Sequence, residues 1–254
     1  MKNILKERLI NKEIVIGPFM KLPSPPVVEI VGLAGFDYVI IDCEHGPLNV
    51  LEAENMVRAA HLVNMAAVLR VGENRPHPIS RALDIGADAV QIPQISSKED
   101  AIKAVKAAKF APLGERGVCR YVRAANYSSL DKKEYFKLAN EETMVIIHVE
   151  GVEGINNIDE ILEVEGIDII FIGPYDLSQS LGIPGDVDNV IVEEKMKEVI
   201  KKAHEKGKLV GTFVDDLDAA KKWRALGVQY ISYSVDVGII YESFKNIIEK
   251  FGRD

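Results

Sequence analysis

Residues 35–46 read GFDYVIIDCEHG. Tyr38 to Ile41 are aromatic or apolar without alternation, and Asp42, Glu44 and His45 follow almost at once. A short run of this kind fits a strand buried on both faces, as in a parallel sheet covered by helices. The Gly-x-Asp approach recurs at GADAV (86–90), the turn signature of a repeating α/β chain. Outward from this segment lie seven runs of the same character: IVIGPF (14–19), AAVLR (66–70), AVQIP (89–93), MVIIHVE (144–150), DIIFIG (168–173), LVGTF (209–213) and QYISY (229–233). Between most of them stand helix-like stretches such as LEAENMVRAAHLVN, SSKEDAIKAVKAAK and DLDAAKKWRALG. Gly207 and Gly227 occupy helix-ending positions before the next strand. The alternation predicts a single-domain (β/α)8 TIM barrel over residues 1–254. No GxGxxG or GxxxxGK[ST] follows the first run, so the nucleotide-binding doubly wound sheet loses its main support.

The composition agrees with an ordinary globular chain: 254 residues, 47% hydrophobic, 28% charged, with a formal net charge of −8. No Lys/Arg block resembles a nucleic-acid footprint, and no apolar run approaches the roughly 20 residues that span a bilayer. Two cysteines, Cys43 and Cys119, fit a reducing cytoplasm better than a disulfide framework. The start, MKNILKERLINKE, is charged throughout and lacks the apolar core of a signal peptide. The stretch from Phe110 to Glu142 is too long for an ordinary connection and reads as a functional excursion. The closing run IIYESFKNIIEKF (239–251) is amphipathic and reads as a barrel cap or a contact with another subunit.

In such a barrel the C-terminal ends of the strands share one face, where reactive residues gather. Read in order, those ends give Phe19, Glu44 with His45, Arg70, Gln91, His148 with Glu150, and Asp176. Glu150 and Asp176 come from neighbouring strands about 5 Å apart. Two carboxylates with positions left for water and substrate suit a hard cation such as Mg2+ or Mn2+. The competing reading makes Asp176 a helix N-cap before LSQS, with Gln179 completing a capping box. His45 has Asp42, Glu44 and Asp84 as possible carboxylate partners for proton transfer. A loop-bonded histidine is the plainer alternative. Arg70 ends an apolar strand, where a guanidinium needs an anion: a substrate, or a salt bridge to Glu44 or Asp42. None of the eight runs contains a lysine, so a Schiff-base aldolase is not indicated, and carbonyl chemistry here would use a metal.

The segments GFDYVIIDCEHGP, ALDIGADAVQIPQI, APLGERGV, HVEG with NIDEIL, and FIGPYDLSQSLG resemble the signatures of the HpcH/HpaI aldolase/citrate lyase family. The nearer resemblance is to its class II pyruvate aldolases, a group that includes 4-hydroxy-2-oxoheptanedioate and 2-keto-3-deoxy-sugar-acid aldolases. It runs in register from about Gly32 to Gly182. The resemblance implies reversible cleavage of a 4-hydroxy-2-oxo acid to pyruvate and an aldehyde through an enolate stabilised by a divalent cation (Mg2+, Mn2+ or Co2+). It places the cation on Glu150 and Asp176, and the pyruvate carboxylate at the Gly173-Pro174-Tyr175-Asp176 turn. It makes His45 the proton-transfer residue paired with Asp84, Arg70 the partner of the keto oxygen, and Asp42 a supporting acid. Phe19, His148 and Thr212 complete the substrate side. It further implies a homo-oligomer, trimer or hexamer, with the C-terminal helix at about 237–251 swapped to a neighbour.

Three departures bear on substrate and ion. His148 stands where relatives often carry Gln, and is expected to hydrogen-bond pyruvate, to become a third metal ligand, or to change the preferred ion. Phe19 stands where Trp is frequent. The stretch RYVRAANY is more cationic than in some relatives, so Arg120 or Arg123 is a candidate partner for an acidic aldehyde, against plain surface pairing. Two other functions remain open on sequence grounds: a citryl- or malyl-CoA-type lyase, against which stands the lack of a basic groove, and a non-catalytic ligand-binding barrel.

Overall fold

The computed structural model describes residues 2–252. Eight parallel strands pair in chain order and close on themselves, β1 against β8. They are β1 (Val15–Met20), β2 (Tyr38–Asp42), β3 (Ala66–Arg70), β4 (Ala89–Ile92), β5 (Met144–Val149), β6 (Ile169–Ile172), β7 (Leu209–Val214) and β8 (Tyr230–Val235). Each lies within about two residues of the run that predicts it. The (β/α)8 barrel expected from the sequence is the fold observed.

The Gly-x-Asp signature has a double physical purpose. Gly35, Gly86 and Gly166 adopt φ of 99°, 90° and 88°, a left-handed conformation that side-chain-bearing residues resist; the first two end a helix and the third lies in the turn before β6. Two residues later Asp37, Asp88 and Asp168 accept the backbone N–H of Ile16, Ala67 and Val145, each at 2.8 Å and each on the preceding strand. The carboxylate thus satisfies a strand-start donor that the ladder leaves unpaired.

Successive residues of each strand face opposite ways, which builds two cores. Tyr38, Ile40, Val68, Ile146 and Phe171 fill the barrel interior, where Tyr38 and Tyr230 stack at 4.2 Å. Val39, Ile41, Leu69, Val90, Ile147 and Ile170 face outward and pack under the helices. The outer layer holds α2 (Pro25–Leu33), α3 (Val50–Leu62), α4 (Pro76–Asp84), α5 (Lys98–Ala108), the short α7 (Val152–Asn156) and α8 (Ile158–Leu162), α10 (Val190–Glu205) and α11 (Leu217–Ala225). Before β1, α1 (Ile4–Ile10) buries Leu5 and Leu9 against the interior cluster and closes the N-terminal end of the barrel.

The excursion after α5 contains a 3-10 segment, Arg123–Ser128, and α6 (Lys132–Glu142), packed through Phe110, Ala125 and Tyr135. After β6 comes the short α9 (Pro174–Ser180). The last helix, α12 (Asp236–Phe251), is pinned at its first residue: buried Asp236 accepts the N–H groups of Lys21, Leu22 and Val237. From Tyr241 onward it is exposed on all sides, Tyr241, Phe244 and Ile248 included. Among the described residues no helix is long and apolar enough to cross a membrane.

Candidate active site

Strand parity decides which residues reach the barrel mouth. Tyr38 and Ile40 face inward on β2, so Asp42 does too; Ala66 and Val68 on β3 place Arg70 in the same way. Met144 and Ile146 on β5 carry the alternation to His148, and one step beyond the strand to Glu150. The result is a cavity of about 230 Å³ lined by Phe19, Lys21, His45, Arg70, His148, Glu150, Phe171, Gly173, Pro174, Tyr175, Asp176 and Phe213, with Val235 at its edge.

Asp42 and Arg70 are register partners on adjacent strands. Nε and Nη2 of Arg70 donate to the two Asp42 oxygens at 2.8 and 2.7 Å, a bidentate pair that is almost wholly buried. Nη1 lies 2.8 Å from Glu44 Oε2, off the line of a hydrogen bond. One guanidinium therefore faces two carboxylates, and both salt bridges considered from the sequence are present. Burial raises the Asp42 carboxyl, but its bonds to Arg70 outweigh that and hold it below its ordinary value. Glu44 goes the other way: burial keeps it above the ordinary carboxylate range despite Arg70. Asp42 Oδ1 also accepts the N–H groups of Glu44 and His45 at 3.0 and 3.3 Å, folding the DCEHG turn over the strand end. His45 rides on this turn with its side chain 57% exposed and Nε2 3.8 Å from Glu44 Oε2. The Arg70 guanidinium sits 4.7 Å from the centre of the Phe19 ring.

Glu150 is held at both oxygens. Oε1 accepts the N–H of Gln94 at 2.8 Å and Oε2 the Nδ1–H of His148 at 2.9 Å. The Glu150 carboxylate only accepts, which places a proton on His148 Nδ1. Nε2 contacts the side-chain amide of Gln91, which in turn pairs with the Tyr230 hydroxyl at 3.2 Å. With both ring nitrogens occupied and its ring stacked on Phe171 at 4.4 Å, His148 is neither a third metal ligand nor a free donor to pyruvate. It orients Glu150. Burial raises the Glu150 carboxyl, yet His148 and the Gln94 amide prevail and bring it below its ordinary value. Gly173 makes this approach possible, because a Cβ there would come 2.8 Å from Glu150 Oε2.

Asp176 is not an N-cap. The helix begins at Pro174 with Gly173 as its cap, and Asp176 sits inside the first turn without a side-chain capping bond. Its exposed carboxylate lines the cavity and has no hydrogen bond or ion pair among the described residues. Glu150 accepts only one bond per oxygen and keeps lone pairs on both. Among the described residues no third His, Cys, Asp or Glu joins them as a metal-holding group. Two hard oxygen donors beside an open cavity fit a divalent cation that keeps several water or substrate ligands.

Some sequence-predicted residues lie elsewhere. Asp84 is the last residue of α4, and the helices return against the strand direction, so it sits at the opposite end of the barrel. There it accepts from Arg116 Nη2 at 2.7 Å, and no His45–Asp84 pair forms within the chain. Glu44 is the carboxylate beside His45 instead. Thr212 has the wrong parity: Gly211 and Phe213 face inward, whereas Thr212 is buried with its hydroxyl on the Ile172 carbonyl at 2.9 Å. Arg123 is spent on the Ile85 carbonyl and His61 Nδ1, both at 3.0 Å, away from the mouth. Arg120 packs on Tyr121. Besides Arg70, the cation that reaches the cavity is Lys21, the residue after β1. Sequence reasoning missed it because the predicted strand ended at Phe19 and Lys21 fell outside.

Residues 16–242 match the family model described as HpcH/HpaI aldolase/citrate lyase. A 5-keto-4-deoxy-D-glucarate aldolase from Shigella dysenteriae serotype 1 (strain Sd197) is 31% identical over 251 residues, 99% of this chain and 97% of that one. A 2-keto-3-deoxy-L-rhamnonate aldolase from Klebsiella pneumoniae subsp. pneumoniae is 32% identical over 255 residues, covering 100% and 95%. Among solved structures, the citrate synthase SbnG superposes with a TM-score of 0.89 at 31% identity, covering 98% of this chain and 97% of its own.

Proposed function

Because the chain belongs to the HpcH/HpaI aldolase/citrate lyase family, we propose that its cavity reversibly cleaves a 4-hydroxy-2-oxo acid of the keto-deoxy sugar acid type to pyruvate and an aldehyde. The protein is a carbon–carbon lyase, a class II aldolase. One observation carries the reading: Glu150, Asp176, Arg70 and His45 all face one cavity at the C-terminal mouth of the barrel.

Glu150 and Asp176 would hold a divalent cation, Mg2+, Mn2+ or Co2+, which would supply Lewis acidity at the keto group. The N–H groups of Tyr175 and Asp176, in the first turn of α9 and without intrahelical partners, receive the carboxylate of the pyruvate unit. Arg70 shares the negative charge that develops at the keto oxygen. His45 takes the proton of the 4-hydroxyl as the C3–C4 bond breaks and the aldehyde leaves, then returns a proton to C3 of the pyruvate enolate. Phe19, Phe171 and Phe213 form the apolar wall against which the chain lies.

Prolonged EDTA treatment should abolish pyruvate release from 4-hydroxy-2-oxo acids, and Mg2+, Mn2+ or Co2+ should restore it. Unchanged turnover after chelation would refute metal-dependent catalysis. His45→Ala should keep stoichiometric metal yet slow proton exchange at the pyruvate methyl about 10²-fold, the usual scale for a general base. Exchange at the wild-type rate would remove His45 from the proton-transfer role.

Val237, Tyr241, Phe244 and Ile248 recur every three or four residues and stand exposed on α12, an apolar stripe that favours cover by a second subunit. A homo-oligomer, trimer or hexamer, that exchanges this helix accounts for the stripe. The two free cysteines, Cys43 and Cys119, suit the cytoplasm.

A further inference from the structure

Lys21 begins at a fixed point. Its own N–H and that of Leu22 donate to the buried Asp236 carboxylate at 3.0 and 2.9 Å, which holds the side chain's origin at the barrel mouth. The side chain lines the cavity beside His45 and Arg70 and keeps 29% of its surface exposed. Its nearest acid is Asp42, but Nζ stays 3.6 Å from Oδ2, beyond hydrogen-bond length. Asp42 already accepts from Arg70 twice and from the N–H groups of Glu44 and His45. Nζ also reaches the His45 carbonyl, at a long 3.4 Å. An ammonium has three donors, so Lys21 brings at least one unused donor and a positive charge into the cavity.

The barrel order says which part of a substrate meets that charge. In a closed ring of eight strands, β1 and β2 stand across the mouth from β5 and β6. Glu150, Gly173 and Asp176, which take the pyruvate unit, belong to the β5–β6 side; Lys21 and His45 belong to the β1–β2 side. A substrate with its 2-oxo acid end on the first side and its 4-hydroxyl at His45 points its remaining chain at Lys21.

We propose that Lys21 is a specificity residue that receives a second, distal carboxylate, so that the preferred substrates are dicarboxylic 4-hydroxy-2-oxo acids and the released aldehyde is anionic. The inference rests on the aldolase reading above. A charge-assisted bond of this kind is worth about 10–10²-fold in kcat/KM.

The test uses the full chain with Mn2+ and two substrates of equal length, 4-hydroxy-2-oxohexanedioate and 4-hydroxy-2-oxohexanoate, followed by pyruvate release. The wild type should prefer the diacid about 10-fold or more. Lys21→Met should collapse that ratio towards unity through the KM of the diacid, and Lys21→Arg should retain most of it. A ratio unchanged in Lys21→Met overturns the assignment. So does an equal loss on both substrates, which would make Lys21 a charge-balancing neighbour of Asp42 and Glu44. Wild-type cleavage without a preference defeats the Lys21 inference alone, whereas no pyruvate from either substrate defeats the aldolase reading and this inference with it.

Discussion

Arg70→Met is expected to lower turnover about 10²–10³-fold, the scale for removing one donor from a developing oxyanion, and to destabilise the fold as well. The second effect arises because the guanidinium faces two acids. Without it, Asp42 loses both charge-assisted bonds while remaining buried, and Glu44 loses its counter-charge. Breaking a buried pair from one side costs about 3–5 kcal/mol. The pH dependence has a definite sign. In the wild type Asp42 titrates below its ordinary value, so its contribution is complete above about pH 4 and is lost as the pH falls through the lowered folded value. In the variant, burial is no longer opposed by Arg70, and the folded carboxyl rises above its ordinary value. The penalty is then present at neutral pH and is relieved as the pH drops through that raised value. Denaturation at pH 7.5 and at about pH 4.5 should therefore show the gap between the two proteins narrowing with acid. A gap that widens, or a variant as stable as the wild type at neutral pH, would show that the pair is not what holds the β2–β3 end.

The difference between what the sequence disclosed and what it concealed follows from the range of each signal. Alternation along a strand is local, so the shared facing of His148 and Glu150, and the inward aim of Asp42 and Arg70, were readable from position alone. The same parity rule excludes Thr212, but only once Gly211 is known to face inward opposite Tyr230, which depends on pairing. Asp84 misled for a different reason. GADAV begins a strand, and a residue just before that strand belongs to the far end of the barrel whatever its chemistry. Lys21 was hidden by a strand boundary of a single residue, the least certain quantity in any sequence reading. The network around His148 was beyond reach, since it runs through Gln91 and Tyr230, in pairs 57 and 139 positions apart. Long-range polar networks leave no periodic trace.

Glu150→Ala and Asp176→Ala should both lose stoichiometric metal and reduce pyruvate release by at least about 10³-fold, since several kcal/mol of charge stabilisation disappear with the ion. Their effects on stability should nevertheless separate. Asp176 is exposed to the cavity and bonds nothing among the described residues, so its removal should leave the melting temperature of the metal-free protein unchanged or slightly raised by relief of charge repulsion. Glu150 is 8% exposed and accepts from both Gln94 and His148. Cutting it to alanine strands two buried donors, at a cost of about 1–3 kcal/mol each if water cannot reach them. Glu150→Gln keeps an acceptor for one of those donors and should recover part of the stability without recovering the metal. Metal analysis and calorimetry of the metal-free proteins decide the matter together. Full metal occupancy in both alanine variants would place the cation elsewhere, and equal melting temperatures would mean that the His148–Glu150 pair is not a fixed part of the barrel. The division expected here, one ligand built into the frame and one left open to the cavity, is what lets a site be rigid on its protein side and still exchange substrate on the other.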